Sequence, residues 1–176
     1  RSEQLFVRPA TYAAWSYRKV VLLMAKYVFD SNIFINLQRR QPIDIYPSLW
    51  SKIGDLMENG TIISSQEVYD EIMIGGDDLE KWAKARKECF LPSSVPVQQE
   101  VRAILVSHRG LVEGGSKMNS ADTFVIALAK QEHCKVVTEE SRTRNVKSPK
   151  IPDVCDAYQI ECIDFVGFAR EEKFAF

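Results

Sequence analysis

Four short apolar runs separated by stretches of helical periodicity most constrain how this chain folds. They are Tyr27-Val28-Phe29, Thr61-Ile62-Ile63, Lys135-Val136-Val137-Thr138 and Glu161-Cys162-Ile163. Each reads as a strand, and the intervening segments are long enough to hold helices. A strand followed by a helix and another strand forms a crossover, and successive crossovers build a parallel sheet covered on both faces. The spacing therefore predicts an α/β fold.

The helical segments carry their own punctuation. Asp30-Ser31-Asn32 is positioned to cap a helix running through Ile33 to Leu37. Pro47 opens a second, with Leu49, Ile53, Leu56 and Met57 on one face and Gly60 as its stop. Ser64 or Ser65 caps a third, which carries Val68 and Ile72 and ends at Gly75-Gly76. A fourth starts at Asp77-Asp78 and runs through Trp82, Pro92 and Pro96 mark a loop, and a helix follows around Val101 to Val106. Residues 109–119, with Gly110, Gly114 and Gly115, read as a loop. Ser120 caps an apolar helix from Ala121 to Lys130, Glu139 to Lys150 is a polar basic loop, Pro152 opens a short helix, and a last helix begins near Asp164.

The 176 residues suit one domain, with 45% hydrophobic and 27% charged residues. A net charge of −1 excludes a uniformly basic nucleic-acid binder but leaves room for a local basic patch. Cys89, Cys134, Cys155 and Cys162 lack CxxC spacing, and His108 and His133 form no HxxxH pair, so neither a disulfide scaffold nor a zinc site is expected. A reducing, cytoplasmic location follows as the expectation. The apolar run Val20 to Ala25 is shorter than a signal-peptide core and ends at Lys26, so no secretory signal and no membrane segment is expected. Arg1, Arg8, Arg18 and Lys19 against Glu3 give residues 1–23 a net +3, leaving −4 on the rest. We divide the chain into this leader, read as an appended segment in preference to a docking arm, and a domain over 24–176.

An open parallel sheet binds ligands at the carboxyl ends of its strands, and acids fall there repeatedly. Asp30 follows the first strand, Glu67, Asp70 and Glu71 lie after the second, and Asp122 opens the helix before the third. Glu139 and Glu140 follow the third strand, and Asp153 opens the helix after the basic loop. Each has an ordinary reading by itself: Asp30 as a helix cap, Asp122 and Asp153 as first-turn acids, Glu67 and Glu71 as a solvated face. Gathered together they would repel, and a divalent cation removes that penalty. Oxygen ligands without His or Cys suit Mg²⁺ or Mn²⁺, and such sites suit phosphoryl chemistry by metal-activated water.

Tyr27-Val28-Phe29-Asp30-Ser31-Asn32, Val68-x-x-Glu71-Ile72, Ser120-Ala121-Asp122-Thr123 and Val136-Val137-Thr138-Glu139-Glu140, in that order, resemble the PIN-domain nucleases. The nearest type is the branch similar to VapC toxins, and Lys147-Ser148-Pro149-Lys150-Ile151-Pro152-Asp153-Val154-Cys155 looks characteristic of it. The resemblance covers Lys26 onward. It implies an α/β/α sandwich with a parallel, doubly wound sheet of about four to five strands, and metal-dependent cleavage of RNA leaving 5′-phosphate and 3′-hydroxyl ends. By position, Asp30, Glu71 and Asp122 match the three core metal-binding acids. Glu140 and Asp153 compete for the fourth role, because Thr138-Glu139-Glu140 stands where the family usually has Thr-x-Asp. Ser31, Asn32, Ser120 and Thr138 match polar positions that orient the acids or bound water.

Arg142, Arg144, Lys147 and Lys150 form a basic loop beside the fourth acid, and Lys117, Arg39 and Arg40 extend it into a rim for RNA phosphates. Trp50, Trp82 and Tyr46 read as packing residues before base-stacking ones. The resemblance further implies a small cognate antitoxin and a homodimer, for which we place Trp50 and the helix over 47–59 at the interface. Two other functions compete. One is a PIN fold that binds without cutting. The other is an aspartyl-phosphate-forming phosphatase or receiver domain, against which stands Asn32, where such a phosphatase needs a second Asp.

Overall fold

In a computed structural model of the chain, residues 25–75, 78–108, 120–145 and 147–175 are described. The sheet has five parallel strands in the order β3-β2-β1-β4-β5. They are β1 (Tyr27–Phe29), β2 (Ile62–Ser65), β3 (Phe90–Leu91), β4 (Lys135–Val137) and β5 (Cys162–Ile163). Between and after them run α1 (Ser31–Arg40), α2 (Pro47–Glu58), α3 (Gln66–Ile72), α4 (Asp78–Lys84), α5 (Val95–Ser107), α6 (Ser120–Glu132), α7 (Ile151–Ala157) and α8 (Phe165–Glu171). The fold is the expected α/β/α sandwich. From β1 the chain builds outward through β2 to β3, then returns to add β4 on the other side. The β1–β4 seam is therefore the switch point of the sheet, where such folds open a crevice.

All three residues of β1 are buried, as a central strand covered on both faces requires. The side chains of Tyr27 and Phe29 point to one face, where Phe168 of α8 meets both rings edge-on at centroid distances of 5.0 and 4.9 Å. α6 packs against β1, β2 and β4 as well as α3, α5 and α7. This explains why its Ala121, Val125, Ile126, Ala127, Leu128 and Ala129 are all buried, an almost all-round apolar helix.

Four local expectations are corrected. Phe90–Leu91 is a fifth strand, too short to show alternation, and it pairs with Ser64 and Ser65 at the sheet edge. The helix expected from Val101 begins at Val95, because Pro96 sits within its first turn, where a missing N–H costs nothing, and Ser94 caps it. α3 ends at Ile72, before Gly75. Trp50 does not lie at an interface: it is 1% exposed, its Nε1–H donates to the Gln41 carbonyl at 2.7 Å, and its ring meets Trp82 at 5.0 Å. The leader, the 109–119 loop and Lys117 lie outside the described residues, as does the side chain of Ser120.

Candidate active site

The site is built from the carboxyl ends of β1 and β4. β1 delivers Asp30 to the N-cap position of α1, yet its carboxylate makes no capping hydrogen bond to that helix. It turns instead into the β1–β4 seam. Thr138, the first residue past β4, donates its hydroxyl to Asp30 Oδ2 at 2.8 Å. The same hydroxyl oxygen accepts from Asn32 Nδ2 at 3.0 Å and from the Glu140 N–H at 3.2 Å. Asn32 also accepts from the Glu139 N–H at 2.9 Å, which ties the first turn of α1 to the segment leaving β4. Asp30 is 1% exposed.

The remaining acids converge on it. Ser31 places its hydroxyl 3.4 Å from Asp30 Oδ1 and also hydrogen-bonds the Glu71 carboxylate, so one short side chain stands between two acids. Glu71 reaches the same place because Ser65 ends β2 by capping α3, accepting from the Val68 N–H at 3.4 Å. Asp122 arrives from the first turn of α6. Glu140 follows Thr138 and is held at both oxygens, by Lys150 Nζ at 3.0 Å and by the Ile151 N–H at 2.9 Å.

The electrostatics record this proximity. Burial raises Asp30 to about 6; the Glu140 and Glu71 charges add to the rise, and the Thr138 hydroxyl and Ser31 N–H oppose it. Asp122 rises to about 8, first through burial, then through the charges of Asp30, Glu140 and Glu71, with Lys150 opposing. Burial also raises Glu71, against the Ser31 hydroxyl. Among the described residues, no three His, Cys, Asp or Glu side chains stand as a ready-made metal-holding group.

Asp153 goes elsewhere. Its carboxylate accepts from the N–H groups of Thr143, Arg144 and Lys150 and from the Thr143 hydroxyl at 2.7 Å. Partial burial alone would raise its pKa, but these donors hold it down at about 2. It is the N3 acid of α7 and organises the basic loop. Arg142 in that loop is paired with Asp156 through two bonds of 2.7 and 2.8 Å, while Arg144 and Lys147 are exposed.

Residues 27–176 match a family described as Domain of unknown function (DUF4411). The chain belongs to that family. The description names no activity, and no curated protein shows a significant match. The match takes in every acid described above and leaves residues 1–26 outside.

Two features of this family member escaped the sequence reading. A cleft of about 390 Å³ opens beside Glu140, lined by Glu139, Arg142, Pro152, Cys162 and Asp164 among others. Glu139, Arg142, Pro152 and Cys162 each carry a sequence signal, as does Asp164 at the start of α8, whose Gly167 N–H it caps at 2.7 Å, but nothing in the sequence joins them into one cleft. Glu67, weighed as one solvated face with Glu71, is instead tied to Ser93 at 3.0 Å and has its other oxygen buried. Ser93 lies just beyond the missed β3, so no local pattern announced the pairing.

Proposed function

We propose that this chain is a metal-dependent ribonuclease of the PIN type, which hydrolyses RNA phosphodiester bonds with Mg²⁺ or Mn²⁺. The observation that carries the reading is the uncapped, buried Asp30 carboxylate, turned toward Asp122, Glu71 and Glu140. The donor set fits the ion: every ligand is oxygen, and the mutual repulsion of the four acids is what a hard divalent cation relieves. Asp30, Glu71, Asp122 and Glu140 would hold it. The bound ion would supply an activated water and offset charge developing on the phosphate.

The chain's own residues do the positioning. Thr138 fixes the rotamer of Asp30, Ser31 spaces Asp30 from Glu71, and the Ile151 N–H aims Glu140. Arg144 and Lys147 offer phosphate contacts on the rim. Asp153 serves this function through the loop, by shaping the segment that carries them.

In the same reading the protein works in the cytoplasm as the toxin of a toxin–antitoxin pair, with a small antitoxin covering the acidic cleft and a homodimer as its assembly. No described helix is long and apolar enough to cross a membrane. A second reading, a PIN fold that binds without cutting, is favoured by the lack of a ready-made metal group among the described residues.

The two separate in one assay: mixed cellular RNA with Mn²⁺ or Mg²⁺, with EDTA and Asp122→Asn as controls. The nuclease cuts only with metal and only with Asp122 intact. Equally folded wild type and variant that both leave the RNA intact identify the binding module.

A further inference from the structure

Lys150 enters the sequence as one of several phosphate-binding cations, but its ammonium is committed elsewhere. Nζ lies 3.0 Å from Glu140 Oε1. It is also close enough to Asp122 and Asp30 for both charges to act on it. Its neighbours in the basic loop differ: Arg142 is paired with Asp156, and Lys147 is exposed. Lys150 is thus a cation held against the acidic site from the α7 side.

Its placement is anchored at the backbone and open to solvent along the side chain. The Lys150 N–H donates to Asp153 at 2.9 Å, which anchors the residue at the start of α7. The side chain is 44% exposed, so the ammonium has a path to water. Glu140 is gripped asymmetrically, with Oε2 held by the Ile151 N–H and Oε1 by the ammonium. Loss of the ammonium would leave Glu140 aimed as before, with Oε1 available.

We infer that Lys150 is a tethered counter-ion of the carboxylate site, which a divalent cation must displace from Glu140 Oε1 in order to bind. The inference rests on the proposed reading of the site as one that takes Mg²⁺ or Mn²⁺. Two consequences follow. The ammonium relieves repulsion among Asp30, Asp122 and Glu140 while no metal is bound. It also weakens metal binding, because the cation must compete with it.

The test is Mn²⁺ affinity by calorimetry, with metal-free melting temperature as a second readout, for wild type, Lys150→Met, Lys150→Gln and Lys147→Met. The Lys150 substitutions keep the backbone bond to Asp153 and alter an exposed tip, and Gln preserves polarity should Met perturb the fold. Both Lys150 variants are expected to bind Mn²⁺ about five- to tenfold more tightly and to melt lower without metal. Lys147→Met, which removes the same charge from the same loop, is expected to stay within twofold. An equal gain in Lys147→Met would make the effect a diffuse charge effect and overturn the inference, as would an unchanged or weaker affinity in the Lys150 variants. Mn²⁺ binding to wild type in those cases leaves the metal-site reading standing. No binding to wild type or any variant overturns both.

Discussion

Asp30 could have satisfied the helix it precedes, since a capping aspartate is worth ~1 kcal/mol. It accepts instead from Thr138 and sits among other acids. Such a site is stabilised by acid and strained by base. The pKa of Asp122 is raised to about 8. Its contribution is therefore present in full at low pH and is lost as pH rises from the ordinary carboxylate range through about 8. Asp122→Asn mimics the protonated form at every pH. In EDTA the variant should match wild type in urea melts near pH 4 and exceed it at pH 8.5, by on the order of 1 kcal/mol or more. A wild type that is the more stable at pH 8.5 would contradict the electrostatic account. Asp153 has the opposite sign. Held at about 2, it supports the fold at neutral pH and loses that support as pH falls toward 2.

Among elements, the segment from β4 to α7 places the two candidates for the fourth acid of the proposed site. Sequence alone leaves Glu140 and Asp153 level, because they stand at the two ends of one polar loop that follows β4. Four hydrogen-bond donors serve Asp153 from its own loop, while the Glu140 charge acts on Asp30 and Asp122, which favours Glu140 in the proposed site. Glu140→Gln should lower RNA cleavage by about a hundredfold or more, as loss of a charge-positioning group does. Asp153→Asn should retain cleavage within about tenfold while losing ~1 kcal/mol of stability with its bonds to the loop. Reversed effects would return Asp153 to the site. Elsewhere, α8 is fastened to β1 by Phe168, fully buried against Tyr27, Phe29, Phe165 and Phe174. Phe168→Ala should cost about 3–5 kcal/mol in urea unfolding, because the cavity lies between sheet and helix, where neither can collapse.

For the molecule as a whole, the alternation of apolar runs with helical segments was enough to foresee a parallel α/β sandwich. The three inner strands, β2, β1 and β4, are buried apart from Lys135 and rich in Val and Ile, so composition and burial agree there. β3 escaped because two residues, Phe90 and Leu91, have no period. Trp50 was misplaced because an aromatic on an amphipathic helix reads the same whether it faces a core or a partner. The placement of Asp30, Glu71 and Asp122 near strand ends and helix starts was legible because strand ends and capped helix starts have sequence signatures. The hold of Lys150 on Glu140 was not, since it spans ten residues of irregular loop. The charge distribution bears on RNA as well. With a net charge of −1 and Arg144 and Lys147 exposed in the loop between β4 and α7, RNA affinity under the proposed function should fall with salt at a slope of roughly −1 to −3, since single strands give ~0.7 per phosphate contact. Replacing both by Ala should flatten that slope in a filter-binding titration, and a slope that does not change would place the RNA elsewhere.

The central claim is that Asp30 serves a bound cation and not its helix, and the melting temperature of wild type and Asp30→Asn, each with and without Mn²⁺, tests it most directly. Asn caps helices as well as Asp does. If Asp30 is a ligand, saturating Mn²⁺ should raise the wild-type melting temperature by about 5 °C or more. Asp30→Asn should then show no rise and melt no lower than wild type without metal. An equal Mn²⁺ shift in both proteins, or none in wild type, would contradict the account.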